Sequence, residues 1–279
     1  MSTTETIPSP QQTIGDPNAP VVSFEHVSIG FDGHSVLLNI SFQARSGEMV
    51  VILGPAGGGK SILLKLANGL IPPDAGRVCL FGKDINKLSQ EELFDLRSHV
   101  GMVFQESALF DSLSVRDNVS YRLLEEHADP EDINRRVSES LRFVELEHAI
   151  DKFPSELSGG MKRRVAIARA IITQPQLLLY DSPTGGLDPI TSTTIIQLVM
   201  KQRDVSKSSS LVVTHRLQDA FMLATHHFNS KTNQMDQLPS NMADPQTSFL
   251  VLHLGKLVFD GSTHDLVHSD DPFIREYLS

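Results

Sequence analysis

Residues 54–61 combine a glycine-rich stretch with a lysine and a hydroxyl side chain, an arrangement that suits phosphate chemistry. They fit the pattern G-x-x-x-x-G-K-[ST] and consist of Gly54, Pro55, Ala56, Gly57, Gly58, Gly59, Lys60 and Ser61. Glycines let backbone N–H groups close around phosphate oxygens, and a helix N-terminus adds positive potential. In such a loop Lys60 reaches the terminal phosphates of a nucleotide, and the Ser61 hydroxyl ligates Mg²⁺. The pattern therefore predicts a site for a nucleotide phosphate and its magnesium ion.

An acidic residue, Asp181, closes the apolar run at 177–180. Taken alone, an aspartate after a strand is most often a helix cap. In a protein with a phosphate loop, an aspartate in that place holds the magnesium ion through water. Because residues 54–61 supply the loop, we expect Asp181 to belong to the metal site.

The segments around these residues predict a parallel sheet with crossover helices. An apolar run at 49–53 precedes the phosphate loop, and after Lys60 the apolar residues take helical spacing until Pro72 and Pro73. Further short apolar runs predict strands, and helical patterns follow the last two of them; these runs lie at 100–104, 177–180 and 211–213. Strands that alternate with helices are typical of parallel α/β cores.

The remaining segments differ from this core in composition. Apolar runs broken by glycines predict an N-terminal pair of strands at 21–27 and 36–42 and a C-terminal hairpin around Gly255. Residues 106–173 carry helical periodicity with many charges, which predicts an inserted helical subdomain. The polar segment 228–247 is interpreted as an inserted loop, either solvated or in contact with a partner. The proline-rich residues 1–20 predict a loose arm, which leaves 21–279 as the folded domain.

The overall composition excludes several classes of protein. The 279 residues carry 24 Lys and Arg against 34 Asp and Glu, a net charge of -10, so the chain lacks the field of a nucleic-acid-binding arm. The single cysteine, Cys79, permits no internal disulfide and is interpreted as a small core residue. No apolar stretch approaches the roughly 18 to 20 residues of a membrane span, and the first residues do not resemble a signal peptide. We expect a cytosolic chain that reaches a membrane only through a partner.

Residues 157–161, Leu-Ser-Gly-Gly-Met, resemble the signature motif of ABC-transporter ATPases. The order of the other motifs along residues 21–265 is similar as well, and it is carried by Phe31, the phosphate loop, Gln105, the signature, Asp181, residues 186–189 and His215. An ordered set of motifs is far more specific than any one of them. The resemblance implies an α/β fold: a P-loop NTPase core with a parallel sheet, an N-terminal antiparallel β-subdomain and an inserted α-helical subdomain.

The resemblance also implies how the site works. Such ATPases bind ATP and Mg²⁺, and two subunits close head to tail around two ATP molecules. In each subunit, Phe31 is expected to stack on adenine, and the loop residues 54–61 with Ile62 are expected to hold the phosphates. The signature residues Ser158, Gly159 and Gly160 are expected to contact the γ-phosphate bound by the other subunit. Asp188 is expected at the subunit boundary. The residues expected at the metal are Ser61, Gln105 and Asp181. The residues expected to act in catalysis are His215, Gln105 and Ser182.

Two stretches look like those of the Mla/Mce-type lipid-transport ATPases, namely residues 106–115 and 161–166. This likeness implies three partners: a multi-span membrane permease, a second ATPase subunit that is a copy of this chain, and an MCE-type lipid-binding protein. It places the chain on the cytoplasmic face of the inner membrane, with no nucleic acid partner. Residues 106–115 lie where the family's permease helix docks. Their apolar side chains, Leu109, Phe110 and Leu113, suit a groove for that helix or else belong to the helical subdomain's own core.

The sequence departs from the family at position 182, where Ser182 replaces the glutamate that polarises the attacking water. A positioned general base contributes about 10²- to 10⁴-fold in rate, so slow hydrolysis with intact ATP binding is expected. Three interpretations remain: His215 orients the water, Asp188 supplies a substitute carboxylate, or the chain is one degenerate half of an unequal pair. The alternative function is a nucleotide-binding scaffold or degenerate subunit that dimerises on ATP with little hydrolysis. Ile62 is a milder departure, because the family usually has threonine there. The basic run 162–164 is interpreted as a charged helix face.

Overall fold

A computed structural model describes residues 19–239 and 242–279 of the chain. Most of the predicted arm, residues 1–18, therefore lies outside the described residues. The strands are β1 (Val22–Phe31), β2 (His34–Ala44), β3 (Met49–Leu53), β4 (Ala75–Leu80), β5 (Lys83–Asp84), β6 (Val100–Val103), β7 (Leu177–Asp181), β8 (Ser209–Val213), β9 (His226–Asn229), β10 (Gln234–Gln237), β11 (Thr247–His253) and β12 (Lys256–Ser262). The helices are α1 (Lys60–Ala67), α2 (Gln90–Arg97), α3 (Val115–Glu125), α4 (Pro130–Phe143), α5 (Gly159–Ile171), α6 (Pro189–Ser206), α7 (Leu217–Thr225), α8 (Thr263–Val267) and α9 (Pro272–Leu278).

The central sheet has six strands in the order β12-β11-β3-β8-β7-β6. The pairs from β11 to β6 are parallel, and β12 adds an antiparallel edge. Every residue of β3, β7 and β8 is buried, which explains why their sequences are mostly apolar; the exceptions are Asp181 and the two serines that begin β8. The predicted parallel core is confirmed, and the carboxyl ends of β3, β8 and β7 meet at one edge of the sheet.

A second sheet is antiparallel, with the order β2-β1-β4-β5. Its first two strands were predicted, but β4 and β5 were not, because only the last residues of β4 form an apolar run. Cys79 lies on β4 and is only half-buried, so its interpretation as a core residue is wrong. The hairpin around Gly255 is confirmed as β11 and β12.

Residues 106–173 contain α3, α4 and α5 and no strand. Ile133, Val137 and Leu141 are the buried apolar positions of α4, at the predicted helical spacing. Ser114 and Asp129 cap α3 and α4 through their side chains. The end of α1 differs from prediction: the helix stops at Ala67, and Gly69 follows in the left-handed region (φ 63°), before the proline pair is reached. Among the described residues, no helix has the length and apolar character needed to cross a bilayer.

The loop prediction for residues 228–247 is wrong in its first half. Strands β9 and β10 pair there as an antiparallel hairpin, which we call the insertion hairpin. Phe228 is its one buried residue, so the segment lacks the apolar alternation by which strands are predicted. The rest of the segment, apart from residues 240 and 241, which are not described, returns to β11 without regular structure.

Arg203 of α6 anchors both ends of this insertion. Its guanidinium donates to the carbonyl oxygen of His226 at 2.9 Å and pairs with Asp204 at 2.6 Å and Asp244 at 3.0 Å. The side chain is only 4% exposed. A buried cation with satisfied partners fixes the geometry around it, so the insertion is tied to the core at its base.

Candidate functional site

The phosphate loop has a backbone that only glycine permits at two positions. Gly54 has φ 143°, and a Cβ there would collide with the carbonyl oxygen of Leu252. Gly59 has φ 85°, and a Cβ there would lie 2.7 Å from Cδ2 of Leu37. The loop therefore passes tightly between β11 and β2 before α1 begins at Lys60.

Lys60 points back across the loop that precedes it. Its Nζ donates to the carbonyl oxygens of Gly54 at 2.8 Å and Pro55 at 2.7 Å. Burial lowers the pKa of the Lys60 ammonium, and the nearby carboxylate of Asp181 opposes that shift. The ammonium is thus held inside the loop at the N-terminus of α1, where an anionic ligand meets both its charge and the helix dipole.

Ser61 on α1 and Asp181 on β7, two of the residues predicted at the metal site, are in direct contact. The Ser61 hydroxyl donates to Oδ1 of Asp181 at 3.0 Å, and Asp181 is 7% exposed. Mg²⁺ is held in proteins by one or two oxygen ligands together with waters and substrate phosphates. The described residues contain no cluster of three or more His, Cys, Asp or Glu able to hold a metal. This donor set therefore fits Mg²⁺ bound together with a phosphate.

Ser182 and His215 lie at the same edge of the sheet. The Ser182 N–H donates to the carbonyl of Val213 at 2.9 Å, and the Thr214 N–H donates to the carbonyl of Ile52 at 3.2 Å. Ser182 is 8% exposed and has φ 46°, a left-handed conformation that is uncommon for serine. His215 follows Thr214 with an exposed side chain. These contacts bring position 182 and His215 beside the strand that leads into the phosphate loop.

Gln105 and Phe31 approach the site from other elements. Gln105 follows β6 with an exposed side chain, and its Cγ lies 3.6 Å from where a Cβ of Gly185 would stand. Phe31 ends β1, is 44% exposed, and shares a hairpin with β2, the strand that meets Gly59. Ile62 is half-buried and packs against the apolar core formed by buried residues of β1, β2 and α1. An exposed aromatic side chain at this place is free to stack on a flat ligand.

The signature residues pack against α6. Ser158 caps α5 by accepting from the Met161 N–H at 3.3 Å, and a Cβ on Gly160 would lie 2.5 Å from Cγ2 of Thr191. Asp188 caps α6: bonds from the Thr191 hydroxyl and N–H lower the pKa of its carboxyl. The neighbours described for the signature glycines are Leu187 and Thr191 rather than the phosphate loop. Within one chain, therefore, the described contacts do not bring the signature to the phosphate loop.

Two residues near the site were not predicted from the sequence. Arg163 is 4% exposed, so the interpretation of residues 162–164 as a charged helix face is wrong for this residue. Its guanidinium donates to the backbone carbonyls of Phe104 and Gly185. Tyr277, near the C-terminus, accepts a hydrogen bond from the Gly54 N–H at 3.2 Å. Neither contact has a signal in the sequence, because each joins residues distant along the chain.

Replacing Tyr277 with phenylalanine should lower the free energy of unfolding by about 1–3 kcal/mol, because the part-buried Gly54 N–H loses its acceptor. Phe273 and Tyr277 stack at 5.9 Å, so the ring contact survives the substitution. Tyr121→Phe is the matched control: this tyrosine is 40% exposed, and its substitution should change stability by less than about 0.5 kcal/mol. Urea unfolding of both variants checks the prediction, and equal midpoints would contradict it.

Comparison with known proteins places this geometry in a family. The ABC transporter family profile matches residues 37–185, which span the phosphate loop, the signature and Asp181. The chain is a member of the ABC transporter family. The resemblance found in the sequence is thereby confirmed. The chain is an ATP-binding subunit that uses ATP with Mg²⁺ and acts as a transport-coupled ATPase.

Relatives of the ABC transporter family extend over most of the chain. The intermembrane phospholipid transport system ATP-binding protein MlaF of Haemophilus influenzae is 39% identical over 86% of this chain and 83% of its own length. The chloroplastic protein trigalactosyldiacylglycerol 3 of Arabidopsis thaliana is 38% identical over 89% of this chain and 70% of its own length.

Solved ABC structures confirm the predicted fold class. A dimeric ATP-binding cassette, MJ0796, in a post-hydrolysis state with ADP and phosphate has a TM-score of 0.72 and 28% identity, covering 86% of this chain and 98% of that one. The structure of cbiO1 from Clostridium perfringens, part of the transporter complex cbiONQ, has a TM-score of 0.74 and 28% identity over 92% of this chain and 94% of that one.

Proposed function

We propose that this ABC ATPase drives transport of a phospholipid or related lipid through a membrane permease. The observation that carries the proposal is the 39% identity to the phospholipid-transport protein MlaF over 86% of the chain. The chain carries the nucleotide chemistry, and the membrane-spanning path belongs to the permease. An MCE-type protein supplies or accepts the lipid, and the ATPase sits at the cytoplasmic face of the inner membrane.

In this proposal each site residue has a defined task. Lys60 holds the terminal phosphates, and Ser61 and Asp181 hold Mg²⁺, which neutralises charge on the phosphates when bound. Phe31 stacks on adenine, and His215 orients the attacking water. Gln105 responds to the γ-phosphate. Residues 158–160 of a second copy, whose own α5 N-terminus is available, complete the site.

A patch of exposed apolar side chains supports docking of the permease. Phe110 is 44% exposed and contacts the ring of Tyr121 at 4.8 Å, and Leu124 on the same helix is 51% exposed. Beside them Phe94 and Arg122 line an open cavity of about 380 Å³. Leu109 instead packs against the protein's own core, so only part of residues 106–115 is free for a partner.

Lys60→Ala should weaken MgATP binding by about 10- to 100-fold, because a charge-assisted contact with the phosphates contributes about 1.5–3 kcal/mol. ATP turnover at limiting concentration should fall at least in proportion. Lys65→Ala, on the same helix but away from the loop carbonyls, is the control and should bind MgATP like the wild type. Isothermal titration with MgATP measures both, and normal binding by Lys60→Ala would overturn the assigned site.

The lipid assignment has its own test. The chain is isolated with the permease that co-purifies with it and is reconstituted in vesicles that contain labelled phospholipid. MgATP-dependent movement of phospholipid is the expected result, and it should be lost with Lys60→Ala. Movement of a water-soluble solute with no effect on lipid would contradict the assignment while leaving the ATPase intact.

A second candidate function is a scaffold that dimerises on ATP with little hydrolysis. Ser182 favours it, because a serine hydroxyl is a poor base near neutral pH. A scaffold would form dimers with MgATP, keep the nucleotide unhydrolysed and move lipid only when paired with an active subunit.

A further inference from the structure

Helix α5 holds the segment around Gln105 at two points. Nη1 of Arg163 donates to the carbonyl oxygen of Phe104 at 2.6 Å. Arg169, further along α5, donates to the carbonyls of Ser107 at 2.9 Å and Ala108 at 2.7 Å. Ser107 and Ala108 both have left-handed backbones, with φ 65° and 47°. The segment is therefore held in an unusual conformation by α5, the helix whose N-terminus carries the signature residues.

Of these two arginines, only Arg163 also contacts the turn that follows β7, at the edge of the sheet where the carboxyl ends of β3, β8 and β7 meet. Its Nη2 donates to the carbonyl of Gly185 at 3.3 Å. Gly185 belongs to the turn that follows Asp181, and its N–H donates to the carbonyl of Ser182 at 2.9 Å. One guanidinium thus joins α5, the Gln105 segment and the turn at position 182.

The environment of Arg163 is unusual for a side chain with a purely structural role. The residue is 4% exposed, and its Nε is buried with no hydrogen-bond partner among the described residues. Burial lowers the pKa of the guanidinium, and Asp181 opposes that shift. Burying a cation against two carbonyls is costly, whereas an apolar side chain would fill the space at less cost. The fork geometry of arginine is what allows two separate carbonyls to be held at once.

We propose that Arg163 is a positioning residue that couples the Gln105 segment to the turn at Ser182–Gly185. A partner that displaces the segment on the outer surface then shifts the turn that carries position 182, which lies beside β8 and His215. The inference rests on the ATPase activity and on the role proposed for Gln105, and it gives a task to one residue of the 161–166 stretch. Cγ of Gln105 lies 3.6 Å from the position that a Cβ on Gly185 would take, so the Gln105 side chain is a close neighbour of this turn.

The test compares Arg163→Met and Arg163→Lys with Arg164→Met in the full-length chain. Arg164 is the neighbouring residue, and its Nη1 donates to the carbonyl of Val144 at 3.1 Å, which lies within the helical segment. Two measurements are made: steady-state MgATP turnover, and amide hydrogen exchange of residues 104–108 and 183–187 with and without MgATP.

For Arg163→Met we expect kcat to fall by about 10- to 100-fold with KM within about threefold, since a small misplacement acts on the reaction more than on binding. Exchange should accelerate in both segments. Arg163→Lys has all its donors on a single nitrogen. Compared with Arg163→Met, it should therefore restore slow amide exchange in one of the two segments but not in both. Arg164→Met should leave kcat and both segments as in the wild type.

Wild-type exchange in both segments with either Arg163 variant, together with wild-type kcat, would overturn the inference. Where Arg163→Met does not fold, the lysine variant decides by the same criteria. Amide hydrogen exchange of the nucleotide-free chain tests whether Arg163 links the two segments, even if ATP turnover is slow. Failure of the wild type to bind MgATP would instead count against the proposed nucleotide site, and the two failures are therefore distinguishable.

Discussion

Replacing Ser182 with glutamate is expected to raise kcat for MgATP by about 10²- to 10⁴-fold, the usual contribution of a positioned general base. Ser182 sits at the carboxyl end of β7, next to Asp181 and beside the strand that leads to His215. A carboxylate there accepts a proton from the attacking water, which the serine hydroxyl does poorly. MgATP affinity should change by less than about threefold, because Lys60, Ser61 and Asp181 are untouched.

Ser182→Gln is the matched control for this substitution. Glutamine has nearly the size of glutamate but no basic oxygen, so it should leave kcat at the wild-type level. The left-handed backbone at φ 46° is equally unfavourable for serine, glutamine and glutamate, so all three chains carry the same local strain. A wild type that already turns over rapidly, with little gain from glutamate, would mean that positioning by His215 suffices and that the native chain is a working motor.

Arg203→Met should lower the free energy of unfolding by about 3–5 kcal/mol, the cost of breaking a buried ion pair by removing one partner. The substitution leaves the carboxylates of Asp204 and Asp244 without their cation and removes the donor to the His226 carbonyl. The unfolding midpoint should fall by about 6–20 °C, using the usual shift of about 2–4 °C per kcal/mol for a domain of this size.

Arg135→Met controls for the loss of an arginine as such. Arg135 pairs with Asp132 and Glu139 on the surface of α4, with half of its side chain exposed. Exposed pairs contribute about 0–1 kcal/mol, so the midpoint should barely move. Thermal unfolding of the two variants side by side gives the comparison, and similar midpoints would mean that the insertion is held by other contacts.

The parts of the fold that were predicted share one property, which is a strong local pattern. Strands β3, β7 and β8 are buried on both faces and each contains an apolar run of at least three residues. Helix α4 shows its buried stripe at helical spacing. Strands β5 and β10 are short and polar or exposed, although each pairs with the strand just before it in the chain, β4 or β9. Two to four residues with almost no apolar alternation give no periodic signal for a strand.

The candidate site divides in the same way. Lys60, Ser61 and Asp181 were placed by motifs, and the 3.0 Å contact between Ser61 and Asp181 agrees with the metal role predicted for both. The tasks of Phe31, Gln105, Ser158, Asp188 and His215 stay predictions. Arg163 and Tyr277 were missed because an arginine in a basic run and a tyrosine near the C-terminus look like surface residues until the fold buries them.

The insertion hairpin joins the sheet at the end of the strands opposite to the phosphate loop. The chain returns from it at Thr247, which pairs with Met49 at the start of β3, whereas the loop leaves β3 after Leu53. Its turn at residues 230–233 is exposed. Lys231→Cys would therefore place an exposed thiol at this turn for a thiol-reactive fluorophore. The chain's one native thiol, Cys79, is half-buried and should compete little for the label. A dye at that turn can follow subunit association and vesicle recruitment at a distance from the nucleotide.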